Sequence, residues 1–319
     1  MNKLLLIGVA LMAGAGGAMA AVDPGLLNLV MPDAKILTGI QVDQSQASPF
    51  GQYVLSQMQF NDPGFQKFMA ATGFDPRHDL NEILAATSAD ASAGAHTGLV
   101  LGRGTFQPAA IMAAATVAGA TVTPYHGFNI VTGPNAGSHG AVVFLDASTA
   151  VMGDLTTVQA AIDRSVAQAA FSGPLAQQAN NVSASNQAWF VTTTPLSEFL
   201  NGKIQNPNLG AVAQSNLLQS ILQASGGLNF GSTAITVTAD AVTSSNQNAQ
   251  ALVDVLKFLT SMLQSNAQTN PGIGALVNSA TFAANGAVMH MTLSLPEQQA
   301  EQLFMPAAAR VRNRAAARQ

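Results

Sequence analysis

The chain has 319 residues, 48% of them hydrophobic and only 9% charged, where a soluble domain usually carries about 25%. It has no cysteine, which excludes disulfides, thiolate metal sites, a cysteine nucleophile and a lipid-modified N-terminal cysteine. All sixteen acids fall between Asp23 and Glu301 with seven bases among them, a balance of −9, so nucleic acid is not the main partner of this acidic body.

The first twenty residues read as a secretory signal peptide. Lys3 gives the positive end, Leu4–Ala13 the apolar run, and Ala18-Met19-Ala20 the small-x-small cleavage pattern, so Ala21 is the expected mature N-terminus. The run is too short for a spanning helix and is followed by Gly14, Gly16 and Gly17. No later stretch is apolar enough to span a bilayer.

After a short leader, Ala34–Val42 predicts a strand. Ser48-Pro49 opens a helix carrying Phe50, Tyr53, Val54 and Met58. Asn61-Asp62-Pro63-Gly64 interrupts it, and Phe65, Phe68 and Met69 resume the stripe. In Gly73–Glu82, Asp79 and Glu82 are spaced as the capping box of a short helix. His78 beside Asp75, Arg77 and Asp79 invites a general-base reading, but no nucleophile or metal-ligand spacing accompanies it, and a cap with a local ion pair suffices. Thr87–Gly94 reads as a loop and Thr97–Phe106 as a strand, with Arg103 an ordinary edge-strand charge. Pro108–Ala118 is an alanine-rich helix, and Thr121–Thr132 one or two strands broken at His126-Gly127. After a loop at Gly133–Gly140 comes a hairpin over Gly140–Asp154 that reverses at Asp146-Ala147-Ser148-Thr149, with Asp154 as N-cap of a helix over Leu155–Arg164.

The succession Gly73-Phe74-Asp75-Pro76-Arg77-His78-Asp79, Gly102-Arg103-Gly104-Thr105-Phe106, Tyr125-His126-Gly127, Val142–Asp146 and Val151–Asp154 resembles a family of exported bacterial proteins of unknown function. The resemblance covers roughly Ala34–Leu303. It implies export and a shared α+β fold, and carries over no catalytic residue.

The second half replays the first. Phe171–Ser185 is rich in Ser, Asn, Gln and Ala, with a short helix at Leu175–Val182, and marks the boundary. Ala188–Thr194 is a strand with the only tryptophan, Trp189, and Pro195 starts a helical turn. Leu209, Val212, Leu217, Ile221 and Leu222 predict a long helix ended by Gly226-Gly227. Thr233–Val242 alternates as a strand with Thr236, Thr238 and Asp240 on one side. A helix capped at Ser245 or Asn246 carries Leu252, Val255, Leu256, Leu259 and Leu263, and Ser279–Leu295 is a hairpin turning at Asn285-Gly286. Met289, Met291, Leu293 and Leu295 share one face of its last strand, and His290, Thr292 and Ser294 the other.

The expected fold class is therefore α+β: two related halves, each an antiparallel sheet backed by helices, possible as one continuous sheet. The layout is 1–20 signal peptide, 21–170 N-terminal half, 171–185 linker or short helix, 186–305 C-terminal half, and 306–319 a disordered basic tail with Arg310, Arg312, Arg314 and Arg318. That tail could touch an anionic membrane surface.

No H-E-x-x-H, G-x-S-x-G or Ser-x-x-Lys pattern occurs, and Gly102-Arg103-Gly104 is not a phosphate loop. His126 and His139 flank a reversal and would need a carboxylate such as Asp146 to hold a metal; exposed turn histidines are the simpler reading. Thr192-Thr193-Thr194 with Thr236 and Thr238 could line a hydroxyl face. The sequence thus assigns no catalytic residue, metal or cofactor. It points to an extracytoplasmic, non-enzymatic protein binding an envelope protein or polymer through the polar face of its sheets. An envelope hydrolase using Asp146, Asp154 or Asp240 stays open, because carboxylate pairs leave no signature. So does a small-ligand carrier, which requires an enclosed apolar pocket between the halves.

Overall fold

A computed structural model of the protein describes residues 21–57, 63–88, 98–133, 140–195, 216–265 and 271–304. The leader peptide, the Asn61-Asp62 break, His96, His139, the apolar positions Leu209 and Val212 and the arginine tail lie outside these residues. So do most of the loop after Thr87 and of the segment after Pro195.

The strands are β1 (Ile36–Gln41), β2 (Leu80–Thr87), β3 (Gly98–Gly104), β4 (Thr121–Tyr125), β5 (Phe128–Thr132) and β6 (Gly140–Phe144). They continue with β7 (Thr149–Asp154), β8 (Ala188–Thr192), β9 (Ile221–Phe230), β10 (Ala234–Thr243), β11 (Thr281–Asn285) and β12 (Val288–Pro296). All twelve join one antiparallel sheet in the order β11-β12-β10-β9-β8-β1-β2-β3-β7-β6-β5-β4. The protein is α+β, and the two halves share a single sheet. They meet where β1 pairs with β8, Gly39 opposite Trp189. Each half runs three strands out from that seam, crosses by a helix and returns as hairpins, so the predicted replay is visible in the topology.

The helices are α1 (Pro24–Leu27), α2 (Val42–Gln46), α3 (Pro49–Gln57), α4 (Pro63–Thr72), α5 (Pro76–Asp79) and α6 (Pro108–Val117). After them come α7 (Leu155–Val166), α8 (Pro174–Ser183), α9 (Asn216–Gln219), α10 (Asn246–Ser265), α11 (Pro271–Ser279) and α12 (Glu297–Phe304). Among the described residues no helix is long and apolar enough to cross a membrane.

The main core lies on one face of the first half. Strand alternation and register align Leu84, Leu101, Val151, Val143 and Ile130 in a single row, all fully buried. Residues 22–31 and α7 cover this row, and α8 joins the same buried cluster over β1 and β8. The opposite face of the second half is covered by α10 over Ala241 and Met289, and by α3 and α12 around Phe50, Ile235, Leu295 and Ala300.

Several local expectations hold. Ser48 caps α3 by accepting from the Gly51 N–H at 2.9 Å, and Ser245 caps α10 by accepting from the Asn248 N–H at 3.1 Å. His126 and Gly127 both have positive φ, 47° and 84°, as a two-residue hairpin turn with mirror-image geometry requires. Asp146 organises its turn by accepting from the Ser148 N–H and Oγ at 2.6 and 2.7 Å.

Other expectations are corrected. The short leader is a core element: Val22, Leu26, Leu27, Leu29, Val30 and Met31 are buried, and Asp23 caps α1 through the Gly25 and Leu26 N–H groups. The Asp79/Glu82 capping box does not form. Asp75 caps α5 instead, and Leu80–Thr87 is an interior strand, because β1 and β3 pair on both of its sides and override its helical propensity. The helix expected to end at Gly226-Gly227 is also replaced: Ile221–Phe230 is β9, and those glycines lie inside it. A Cβ at Gly227 would stand 2.2 Å from the Asn186 side chain, so this glycine serves close approach and not a helix stop. Arg103 is not an edge charge. On an interior strand, it pairs bidentately with Asp23 at 2.7 and 2.9 Å. Asp154 stands at the N-cap of α7, but its side chain makes no capping hydrogen bond.

Candidate binding site

The row that begins in the core does not end at the seam. From Leu84 it passes to Gly39, Trp189, Gly227, Thr238 and Thr292, so the same face of one sheet turns from apolar to polar beyond Trp189. That change is written into β9, β10 and β12, where the positions facing this way are Ser225, Gly227, Thr236, Thr238, Asp240 and His290. Among the described residues, the helix that borders the sheet here is α8, in place of the residue 22–31 segment and α7.

A cavity of about 670 Å³ occupies this face. Ser225, Thr236, Thr238 and Thr292 contribute its floor, and Gln178, Asn181, Ser185 and Asn186 wall it from α8 and the turn that follows. The wall is held in place by its own hydrogen bonds. The Asn186 amide donates to the Val182 carbonyl at 2.8 Å, the Asn229 amide to the Ser185 carbonyl at 2.8 Å, and the Gln178 amide to Gln223 Oε1 at 2.5 Å. Gln178 Oε1 is itself buried without a hydrogen-bond partner, which leaves an acceptor at the groove.

One ionisable pair stands on the floor. His290 Nδ1 lies 2.6 Å from Asp240 Oδ1, the two being directly opposite on β12 and β10 and each nearly half exposed. Among the described residues no hydroxyl is hydrogen-bonded to the other ring nitrogen of His290. The remaining described lining is neutral: its Asn, Gln, Ser and Thr side chains offer both donors and acceptors, beside the apolar Val182 and Met291.

The other sequence candidates are dispersed. Thr192 and Thr194 are buried and bonded to each other through the Thr194 N–H, so only Thr236 and Thr238 of the proposed hydroxyl face reach the groove. Asp240 and the Asp146 hairpin are six strand spacings apart, roughly 29 Å at about 4.8 Å per step. Asp154 pairs with Gly140 at the far end of that hairpin, some five residues or about 17 Å from the Asp146 turn. None of these pairs approaches the roughly 5–10 Å that two-carboxylate glycoside hydrolysis needs. His126 faces Asp163 at 3.6 Å, and Tyr125 donates to the same carboxylate at 3.1 Å. Desolvation and that bond hold the Tyr125 hydroxyl above its usual range. Among the described residues no three His, Asp or Glu side chains gather to hold a metal. The carrier reading needed an apolar pocket between the halves. An apolar cavity of about 430 Å³ lies within the first half.

The short helix expected at Leu175–Val182 is α8, Pro174–Ser183; that its Asn, Gln and Ser residues wall a groove is set by packing against the sheet and has no local sequence signal.

The fold defines the class: an α+β protein built on a large antiparallel sheet backed by helices. Three crystal forms of TP0453 share it. Form I superposes with a TM-score of 0.51 at 13% identity, over 90% of this chain and 98% of that one. Form III gives 0.54 at 12%, over 88% and 97%, and form IV gives 0.54 at 13%, over 91% and 99%. At such identity the likeness concerns the fold alone. No family model and no curated protein matches the chain.

Proposed function

We propose that this protein is an extracytoplasmic, non-enzymatic binding protein that takes a neutral, hydrogen-bonding envelope polymer, such as a glycan, in the groove over β9, β10 and β12. The observation that carries this reading is the groove itself. It is long enough to cross three strands, its lining is mostly amide and hydroxyl with Val182 and Met291 among them, and among the described residues it holds one ion pair. Neutral donors and acceptors on rigid strands match the hydroxyls and amides of a glycan without the desolvation cost of matching charges. The N-terminal signal pattern supports an address in the envelope. Carboxylates dispersed along the sheet count against the hydrolase reading.

Binding of labelled protein to an array of neutral oligosaccharides tests the proposal. At least one oligosaccharide should bind saturably, and Thr238→Arg, which places a long cation on the groove floor, should weaken that binding at least tenfold. Turnover of a glycan or ester with no retained ligand would sink it.

A further inference from the structure

A second cavity lies on the other face of the first half. Ile83, Val100, Gly102, Ala150, Val142 and Val131, from the adjacent strands β2, β3, β7, β6 and β5, form its floor. Phe68 of α4 and Ile111 and Ala115 of α6 lie over it. An aromatic run closes one side: Phe68 to Phe74 at 6.3 Å, Phe74 to Phe106 at 5.5 Å, and Phe106 to Phe144 at 5.3 Å between ring centroids. Met152 lines the cavity while 48% exposed, which marks the side on which it opens.

Two properties separate this hollow from ordinary core packing. Its fifteen described lining residues include no polar side chain, so among them water inside would find no hydrogen-bond partners. The space exists because small residues stand where large ones would close it. Gly102 and Ala150 are cross-strand neighbours on the floor and Ala115 lies over them on α6, and a Cβ at Gly102 would meet only ordinary van der Waals neighbours at 3.6–4.0 Å.

We propose that this cavity binds a single aliphatic chain, such as that of a fatty acid. The lining selects hydrocarbon, and the volume selects one chain. About 430 Å³ equals on the order of fourteen water-sized units of about 30 Å³, and a methylene is of similar bulk, so roughly a dozen carbons fit. A two-chain lipid would need about twice that space, whereas the volume lies within the roughly 300–1,000 Å³ of small-molecule sites. The cavity is on the opposite sheet face and in the opposite half from the polar groove, so the two sites are independent.

Fluorescence titration of the purified full chain with 11-(dansylamino)undecanoic acid tests this. Binding should be saturable at one probe per chain, with a blue-shifted emission that dodecanoate displaces. Ala150→Phe should weaken it at least tenfold while thermal unfolding and circular dichroism stay close to the parent. Ala115→Phe, on the exposed side of the cavity in an alanine-rich helix, gives the same reading if the strand variant does not fold. Thr238→Arg in the polar groove should leave probe binding unchanged. The proposal is overturned if the parent shows no saturable binding, if both filled variants bind as the parent does, or if the groove variant alone abolishes it.

Discussion

Glu82 sits on an interior strand, 5% exposed, with its carboxyl accepting from the Asp23 N–H at 3.1 and 3.3 Å. Burial pushes it up to about 7, against the opposing pull of the Asp23 N–H and the Gln41 amide. Beside it, the Arg103 guanidinium and the α1 N–H groups outweigh burial and hold Asp23 below the usual carboxylate range. The two acids therefore divide the work: Asp23 stays charged for Arg103, and Glu82 beneath it takes up a proton as pH falls through about 7. A carboxyl whose folded pKa exceeds its unfolded value of 4.5 stabilises fully below pH 4.5 and loses that contribution as pH rises through about 7. The loss amounts to at most about 3 kcal/mol, from roughly 1.4 kcal/mol per pKa unit. Glu82→Gln should match the parent near pH 4.5 and exceed it in stability at pH 8, as read from urea unfolding at several pH values. A difference independent of pH would show that Glu82 titrates normally.

At the level of elements, the seam between β1 and β8 depends on one glycine. A Cβ at Gly39 would stand 2.3 Å from the Trp189 ring, so the indole lies flat over β1 only because nothing projects there. Gly39→Ala should cost about 1–3 kcal/mol by overpacking. Trp189→Phe removes the contacting atoms, together with a buried indole N–H that has no partner, so the double variant should recover part of the loss. Additive single effects in urea unfolding would disprove the coupling. This contact was not legible in the sequence, where Gly39 is one glycine within a strand. What could be read were elements whose signal is local: the hairpin at His126-Gly127, the hairpin expected at Asn285-Gly286, whose turn is Gly286-Ala287, one residue later, the caps at Ser48 and Ser245, and the alternation of β10. The failures share a cause. Leu80–Thr87 and Ile221–Phe230 have mixed or helical local preference and are strands because partners on both sides pair with them. The floor of the groove followed from alternation, whereas its wall came from packing of α8 against the sheet across the seam.

For the molecule at large, the single sheet formed by the twelve strands of the described residues has two edges. β4 presents one, interrupted by Pro124, which removes a backbone donor, and β11 presents the other with only five residues. Protection should accordingly grade inward from both. In hydrogen exchange followed by mass spectrometry, peptides of β1, β2 and β8 should exchange slowest and those of β4 and β11 fastest. Seam peptides exchanging as fast as β4 would mean that the halves separate independently.

The covering of the first core has a consequence for order in time. The Val22 N–H donates to Ser183 Oγ across 161 residues, and Trp189 and Val191 belong to the same buried cluster as Val22 and Leu26. A growing chain therefore holds the beginning of its core exposed until more than half of its length has been made. Only when β8 arrives can β1 gain its second neighbour, and such distant pairing is slow to form. The first half is long enough to begin folding alone, yet its interior is closed by residues that belong to the start of the second.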